Sequence, residues 1–164
     1  MDIPAELESV VDEVITHYPV SKRSASLPLL HLFQERFGYI SDDAIVWIAQ
    51  KLGLEPINIL ELVTFYPMIR REPAGKHHIR VCRTLSCAMA GSYRLLDTFC
   101  KHANIDPDPH NHEGHLLKSP DGRYSIEFVE CLASCGTGPV CMINDDFYEA
   151  VSDEEVPQLL QNYP

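Results

Sequence analysis

The sequence predicts an α+β chain in two parts: an N-terminal helical bundle over residues 1–72, then a small mixed sheet with packed helices over 76–164. Three observations predict it. Apolar residues recur at helical spacing through the first seventy positions. A polar break, "RREPAGKHH" (70–78), carries Pro73 and Gly75 and reads as a linker. Beyond it the pattern changes to β-α-β-β-α, and two of the strands end on cysteine.

In the first part, Leu7, Val10, Val11, Val14 and Tyr18 follow Pro4 as one helical stripe. A second helix starts near Ser24, carries Leu27, Leu30, Phe33 and Phe37, and stops at Gly38. Ser41 caps a third, with Ile45, Ile48, Ala49 and Leu52 inward and Gly53 at its end. Pro56 opens a fourth that presents Ile59, Leu62, Val63 and Tyr66 and ends at Pro67. Each stripe is one-sided, so these short helices need partners. Trp47 and "TFY" (64–66) read as core packing.

In the second part, "HIRVC" (78–82) alternates like a strand and residues 90–103 predict a helix with Leu96, Phe99, Cys100 and Ala103 on one face. A long loop with a Pro-Asp-Gly turn follows. "SIEFVEC" (125–131) and "PVCMIND" (139–145) predict two more strands. Ser152 and Glu155 make a capping box for a last helix with Val156, Leu159, Leu160 and Tyr163, where Pro157 falls in the first turns.

Composition narrows the function. The 164 residues are 45% hydrophobic and 23% charged, as in an ordinary globular protein. A net charge of −11 argues against a nucleic-acid partner, which needs clustered Lys and Arg. The apolar runs are too short for a bilayer span, so no membrane insertion is expected. The acidic start "MDIPAELESVVDEV" fits neither a secretory signal nor an organelle presequence, and the expectation is a soluble, intracellular chain. In that setting six cysteines point to metal binding or redox chemistry rather than to disulfides.

Four of the six form a constellation. Cys82 and Cys87 are spaced C-x4-C and Cys131 and Cys135 C-x3-C, each pair starting at the end of a predicted strand. If those strands are neighbours, four thiols project from one sheet edge, a metal-binding arrangement. Small residues around them (Ala88, Ala90, Gly91, Ala133, Ser134, Gly136, Gly138) let backbone N–H groups approach sulfur, and Cys87 precedes the predicted helix, whose N-terminus favours an anionic sulfur. The spacing suits a 2Fe–2S rhomb better than structural zinc, which usually takes C-x2-C knuckles, but both accept four thiolates. A dithiol oxidoreductase would need C-x-x-C, which is absent.

With these residues in view, the chain resembles the thioredoxin-like 2Fe–2S ferredoxin component of NADH dehydrogenases, the small E subunit family of bacterial respiratory complex I. The resemblance runs through "SASLPLLHLFQERFGYIS" (24–41), "ELVTFYPMIRREPAGKHHIRVC" (61–82), "CRTLSCAMAG" (82–91) and "DGRYSIEFVECLASCGTGPVCMINDDFYEAVSDEEV" (121–156). It implies a helical N-terminal region followed by a thioredoxin-like 2Fe–2S ferredoxin domain, with Cys82, Cys87, Cys131 and Cys135 ligating one 2Fe–2S cluster. It further implies an electron-transfer subunit of an NADH:quinone oxidoreductase, fed from the FMN of a larger, NADH-oxidising flavoprotein subunit among other peripheral-arm subunits. Such a protein is cytoplasmic and peripheral to the inner membrane through the complex. A soluble NAD-linked hydrogenase or formate dehydrogenase uses an equivalent subunit, and a zinc-stabilised interaction module is the rival from another class. The sequence departs from the family in a longer, histidine-rich loop before Gly122, in Ala133 where glycine is common, and in Gly138 where alanine is common.

Other chemical-looking residues read as structural. Cys100 and Cys141 lie in apolar stripes as inert thiols, Asp145 and Asp146 read as a turn, and His102, His110, His112 and His115 fall in or before a loop without evident order. There is no G-x-G-x-x-G, no Walker loop, no nucleophile elbow and no His-Glu-x-x-His, so the chain has no hydride-transfer site of its own.

Overall fold

The computed structural model describes residues 3–106 and 116–164, so His110, His112 and His115 lie outside the described residues. The chain divides into two compact units, Met1–Pro73 and Ala74–Pro164.

The first unit holds α1 (Ala5–Thr16), a 3-10 turn at Lys22–Ala25, α2 (Ser26–Phe37), α3 (Asp42–Leu52) and α4 (Pro56–Phe65). Its punctuation is chemical. Gly38 and Gly53 take left-handed φ values of 81° and 69° at the ends of α2 and α3. The Ser41 hydroxyl accepts the Ala44 N–H at 3.2 Å, as its place before α3 predicts. Phe33 is fully buried, with the rings of Trp47 at 5.3 Å and Phe37 at 5.7 Å, among Leu29, Leu30, Ile48 and Ile59.

Two sequence expectations fail here. Val10 is 42% exposed, while Val11 takes the inward position of α1. Phe65 does not pack in the core: Ile59 and Val63 hold the inward face of α4, and two residues on from Val63 the helix has turned Phe65 away, 74% exposed. α4 is therefore apolar on its outward side too, with Ile57 at 61%.

The second unit runs β1 (His77–Cys82), α5 (Leu85–Met89), α6 (Ser92–His102), β2 (Leu117–Lys118), β3 (Tyr124–Val129), a 3-10 turn at Cys135–Thr137, β4 (Cys141–Ile143), β5 (Asp146–Tyr148) and α7 (Val156–Gln161). The sheet order is β2-β3-β1-β4-β5. β1 is central, parallel to β3 and antiparallel to β4. Leu95, Leu96 and Phe99 of α6 and Val156 and Leu160 of α7 join Ile79, Val81, Ile126 and Ile143 of the sheet in one core. Tyr163 closes it: its hydroxyl donates to Asp146 at 2.5 Å and meets the Tyr148 hydroxyl at 2.6 Å.

The structure corrects the sequence reading in four places. The helix expected over 90–103 is α6, but a further short helix, α5, precedes it, and Gly91 at φ 104° separates the two in a conformation that glycine takes without strain. Cys87 consequently lies inside α5 rather than ahead of a helix. β3 stops at Val129, so Cys131 stands in the loop beyond it. The turn is Asn144–Asp145, with Asn144 at φ 54°, and Asp146 already belongs to β5, paired with Ile143. β2 and β5, two and three residues long, were too short to leave a periodic signal.

Gly75 has a reason of its own. A Cβ there would stand 2.7 Å from the Tyr124 carbonyl carbon and 2.9 Å from the Ser125 nitrogen, both backbone atoms of β3. Gly75→Ala should destabilise the chain by about 1–3 kcal/mol in urea unfolding. Cys100 and Cys141 are fully buried, and burial pushes both thiols up to about 12. An unfolded chain releases these protons near the ordinary value of 9.0 while the folded one keeps them, so folded stability falls as pH rises from there toward about 12. Cys141→Ala should make that fall shallower by up to about 1.4 kcal/mol per pH unit in denaturation titrations; an unchanged slope would mean that the thiol ionises in the fold.

Candidate metal centre

Register builds this site. The parallel ladder pairs Cys82 with Val129, so β1 and β3 end together at one edge of the sheet. The Arg83 N–H continues the ladder to the Val129 carbonyl at 3.0 Å, and the Cys82 N–H donates to the Val140 carbonyl at 3.1 Å as the chain enters β4. Two segments therefore meet at that edge: residues 83–91 after β1, and residues 130–140 after β3, ending on Val140. The first carries Cys87 and the second Cys131 and Cys135.

The four thiols have unequal surroundings. Cys82 and Cys87 are each 1% exposed and cluster with Val140, with Leu132 packed against them. Cys131 and Cys135 are exposed. Cys82 and Cys87 hydrogen-bond to each other, and Cys87 also feels the charge of Cys135. Among the described residues no three His, Cys, Asp or Glu side chains converge tightly enough for a single-ion site.

Backbone amides are aimed at sulfur. Burial would raise the Cys82 thiol, yet it lies below the ordinary thiol value, because the Thr84 hydroxyl, the amides of Leu132 and Thr84, and the Cys87 thiol all hydrogen-bond to it. The Thr84 oxygen is 3.3 Å from the sulfur. Cys87 is raised, by burial first and then by its acidic neighbours Cys82 and Cys135, with the Val140 amide opposing. The Ala133 N–H donates to Cys131 at 3.3 Å, from a residue with φ 63°. Ionisation is thus easier at Cys82 than at Cys87, and three of the four sulfurs receive amide hydrogen bonds. Four thiols on two loops with amides toward them is the donor set that a thiolate-held iron–sulfur group requires.

Gly138 leaves room at this edge. A Cβ there would lie 3.3 Å from the Ala90 Cβ and 3.5 Å from the Cys87 sulfur, filling space beside the thiol. Sequence reasoning missed Thr84, although its place two residues after Cys82 was a signal, and it missed Glu149, which hydrogen-bonds to the loop around Cys135. Cys100 and Cys141 belong to the core that the sheet shares with α6 and α7. His102 is exposed at the end of α6.

Comparison with known proteins follows the same lines. The profile of the thioredoxin-like [2Fe-2S] ferredoxin family matches residues 11–164. The E subunit of the Aquifex aeolicus NADH-quinone oxidoreductase is 36% identical over 163 residues, covering 99% of this chain and 96% of its own. NADH-quinone oxidoreductase subunit 2 of Thermus thermophilus is 36% identical over 155 residues, covering 93% of this chain and 81% of its own. An NAD+-reducing [NiFe]-hydrogenase structure shares the fold at a TM-score of 0.65 and 18% identity, over 85% of this chain and 22% of that one. No described helix is long and apolar enough to cross a membrane. The chain belongs to the thioredoxin-like [2Fe-2S] ferredoxins, a family whose cofactor is a 2Fe–2S cluster, and is related along nearly its full length to the small E subunits of NADH-quinone oxidoreductases.

Proposed function

We propose that this chain is the electron-transfer subunit of an NADH:quinone oxidoreductase, holding one 2Fe–2S cluster on Cys82, Cys87, Cys131 and Cys135, near the FMN of a partner flavoprotein subunit. The observation that carries the reading is the meeting of two cysteine-bearing loops at the shared end of β1 and β3, with amide donors turned toward sulfur. The full-length relatives bear the names of NADH-quinone oxidoreductase subunits, which favours a quinone-linked complex over a soluble hydrogenase or formate dehydrogenase as the host. When bound, a 2Fe–2S cluster supplies a one-electron carrier.

The chain's own residues do the rest. Cys82 offers the most acidic of the buried thiols, because hydrogen bonds from Thr84 and Leu132 favour its anion. Val140 and Leu132 pack against Cys82 and Cys87 and keep water from that side. Cys131 and Cys135 face outward, which places the open side of the site where a redox partner can approach. Amide donors on sulfur stabilise added negative charge and so raise the potential at which an electron is accepted. The docking surface is proposed on the first unit, where Ile57, Phe65 and Met68 leave apolar area uncovered at 61%, 74% and 60% exposure.

Anaerobically purified protein should hold two irons per chain and show a paramagnetic resonance signal only after dithionite; a silent protein with one zinc would end the electron-transfer reading. Cys82→Ser and Cys135→Ser should each lose most of the iron while Cys100→Ser keeps it. Phe65→Glu should weaken association with the flavoprotein subunit by about tenfold or more and leave the visible spectrum intact. Equal binding of wild type and variant in a pull-down titration would move the docking surface elsewhere.

A further inference from the structure

Cys135 is the least supported of the four proposed ligands. It is exposed, and it opens a 3-10 turn of three residues in a segment, 130–140, that belongs to no strand. Backbone bonds secure the far end of that turn: the Ala150 N–H donates to the Thr137 carbonyl at 2.7 Å and the Val151 N–H to the Pro139 carbonyl at 3.1 Å. Glycine follows at 136, where a Cβ would meet nothing within 4 Å, so packing does not locate the loop there.

Side chains locate it instead. Ser134 precedes Cys135 and Thr137 follows two residues later; their hydroxyl oxygens are 2.7 Å apart. Both hydroxyls hydrogen-bond to one carboxylate oxygen, Oε1 of Glu149, the Thr137 contact at 2.5 Å. Glu149 directly follows β5, whose Tyr148 pairs with Cys141 in the sheet, so the acceptor stands on a rigid edge. Those hydrogen bonds hold its carboxyl below the ordinary carboxylate value and keep it ionised at neutral pH. Each hydroxyl has one hydrogen, and the carboxylate engages both away from the sulfur.

We propose that Glu149 is a positioning residue for Cys135, clamping the Ser134 and Thr137 hydroxyls to the end of β5 and thereby fixing where that sulfur stands. The inference rests on the reading of Cys135 as a 2Fe–2S ligand. It assigns Glu149 no contact with the cluster.

The test uses the full chain reconstituted with iron and sulfide, reading iron loss to a chelator and the visible circular dichroism of the bound group. Glu149→Ala should lose iron several-fold faster than wild type and alter the dichroism. The double variant Ser134→Ala with Thr137→Val should do the same, and it carries the test if Glu149→Ala does not fold. Combining all three changes should be no worse than Glu149→Ala alone, because the three side chains act as one unit. Glu149→Gln keeps an acceptor oxygen and should restore most of the retention. Wild-type retention in Glu149→Ala, multiplied effects in the triple variant, or a glutamine variant as poor as alanine would each overturn the clamp. A wild-type chain that takes up no iron would overturn the ligand reading first; two irons with an indifferent Glu149 would overturn this inference alone.

Discussion

The parallel pairing of β1 with β3 is the constraint on which the candidate site depends. Because Cys82 lies opposite Val129, the loops that leave the two strands start at the same sheet edge and on the same side of the core. A parallel pair cannot be closed by a hairpin, so the chain must cross over between the two strands, and here α5 and α6 lie in that crossover. α6 covers the sheet with Leu95, Leu96 and Phe99, while α5, ahead of it, carries Cys87 at the edge. The crossover that the sheet requires thus also brings the second cysteine into place.

Electrostatics at that edge opposes burial with directed hydrogen bonds. A thiol removed from water resists ionisation, as Cys100 and Cys141 show when burial dominates. Cys82 is equally buried by exposure and goes the other way, since Thr84 and the Leu132 amide donate to it. At Cys82 the donors outweigh burial, whereas at Cys87 burial prevails over the Val140 amide, and donors come from backbone that is free of ladder pairing. Loops supply those N–H groups; the middle of a strand does not.

The first unit answers a different demand. Four helices of ten to twelve residues are too short to be stable alone and hold together through Phe33 and its neighbours. α4 is apolar beyond what that core uses, and Phe65 and Met68 remain uncovered at and after its end. Uncovered aromatic and methionine side chains near one another favour a contact with another protein over contact with water.

By itself the sequence determined the division into a helical part and a sheet part, the caps at Ser41, Gly38 and Gly53, the core stripes of α3 and α6, and the two cysteine pairs. These are local: a cap depends on one side chain, a stripe on helical spacing, a ligand pair on its spacing in the chain. Tertiary structure decided the strand order, the break at Gly91, the position of Cys131 beyond β3, the short strands β2 and β5, and the outward face of Phe65. It also decided which residues serve the thiols, for Leu132 reaches Cys82 and Glu149 reaches the Cys135 loop across gaps of fifty and fourteen residues in the sequence. Such partners leave no periodic trace, because proximity between distant segments is set by sheet register and not by spacing along the chain.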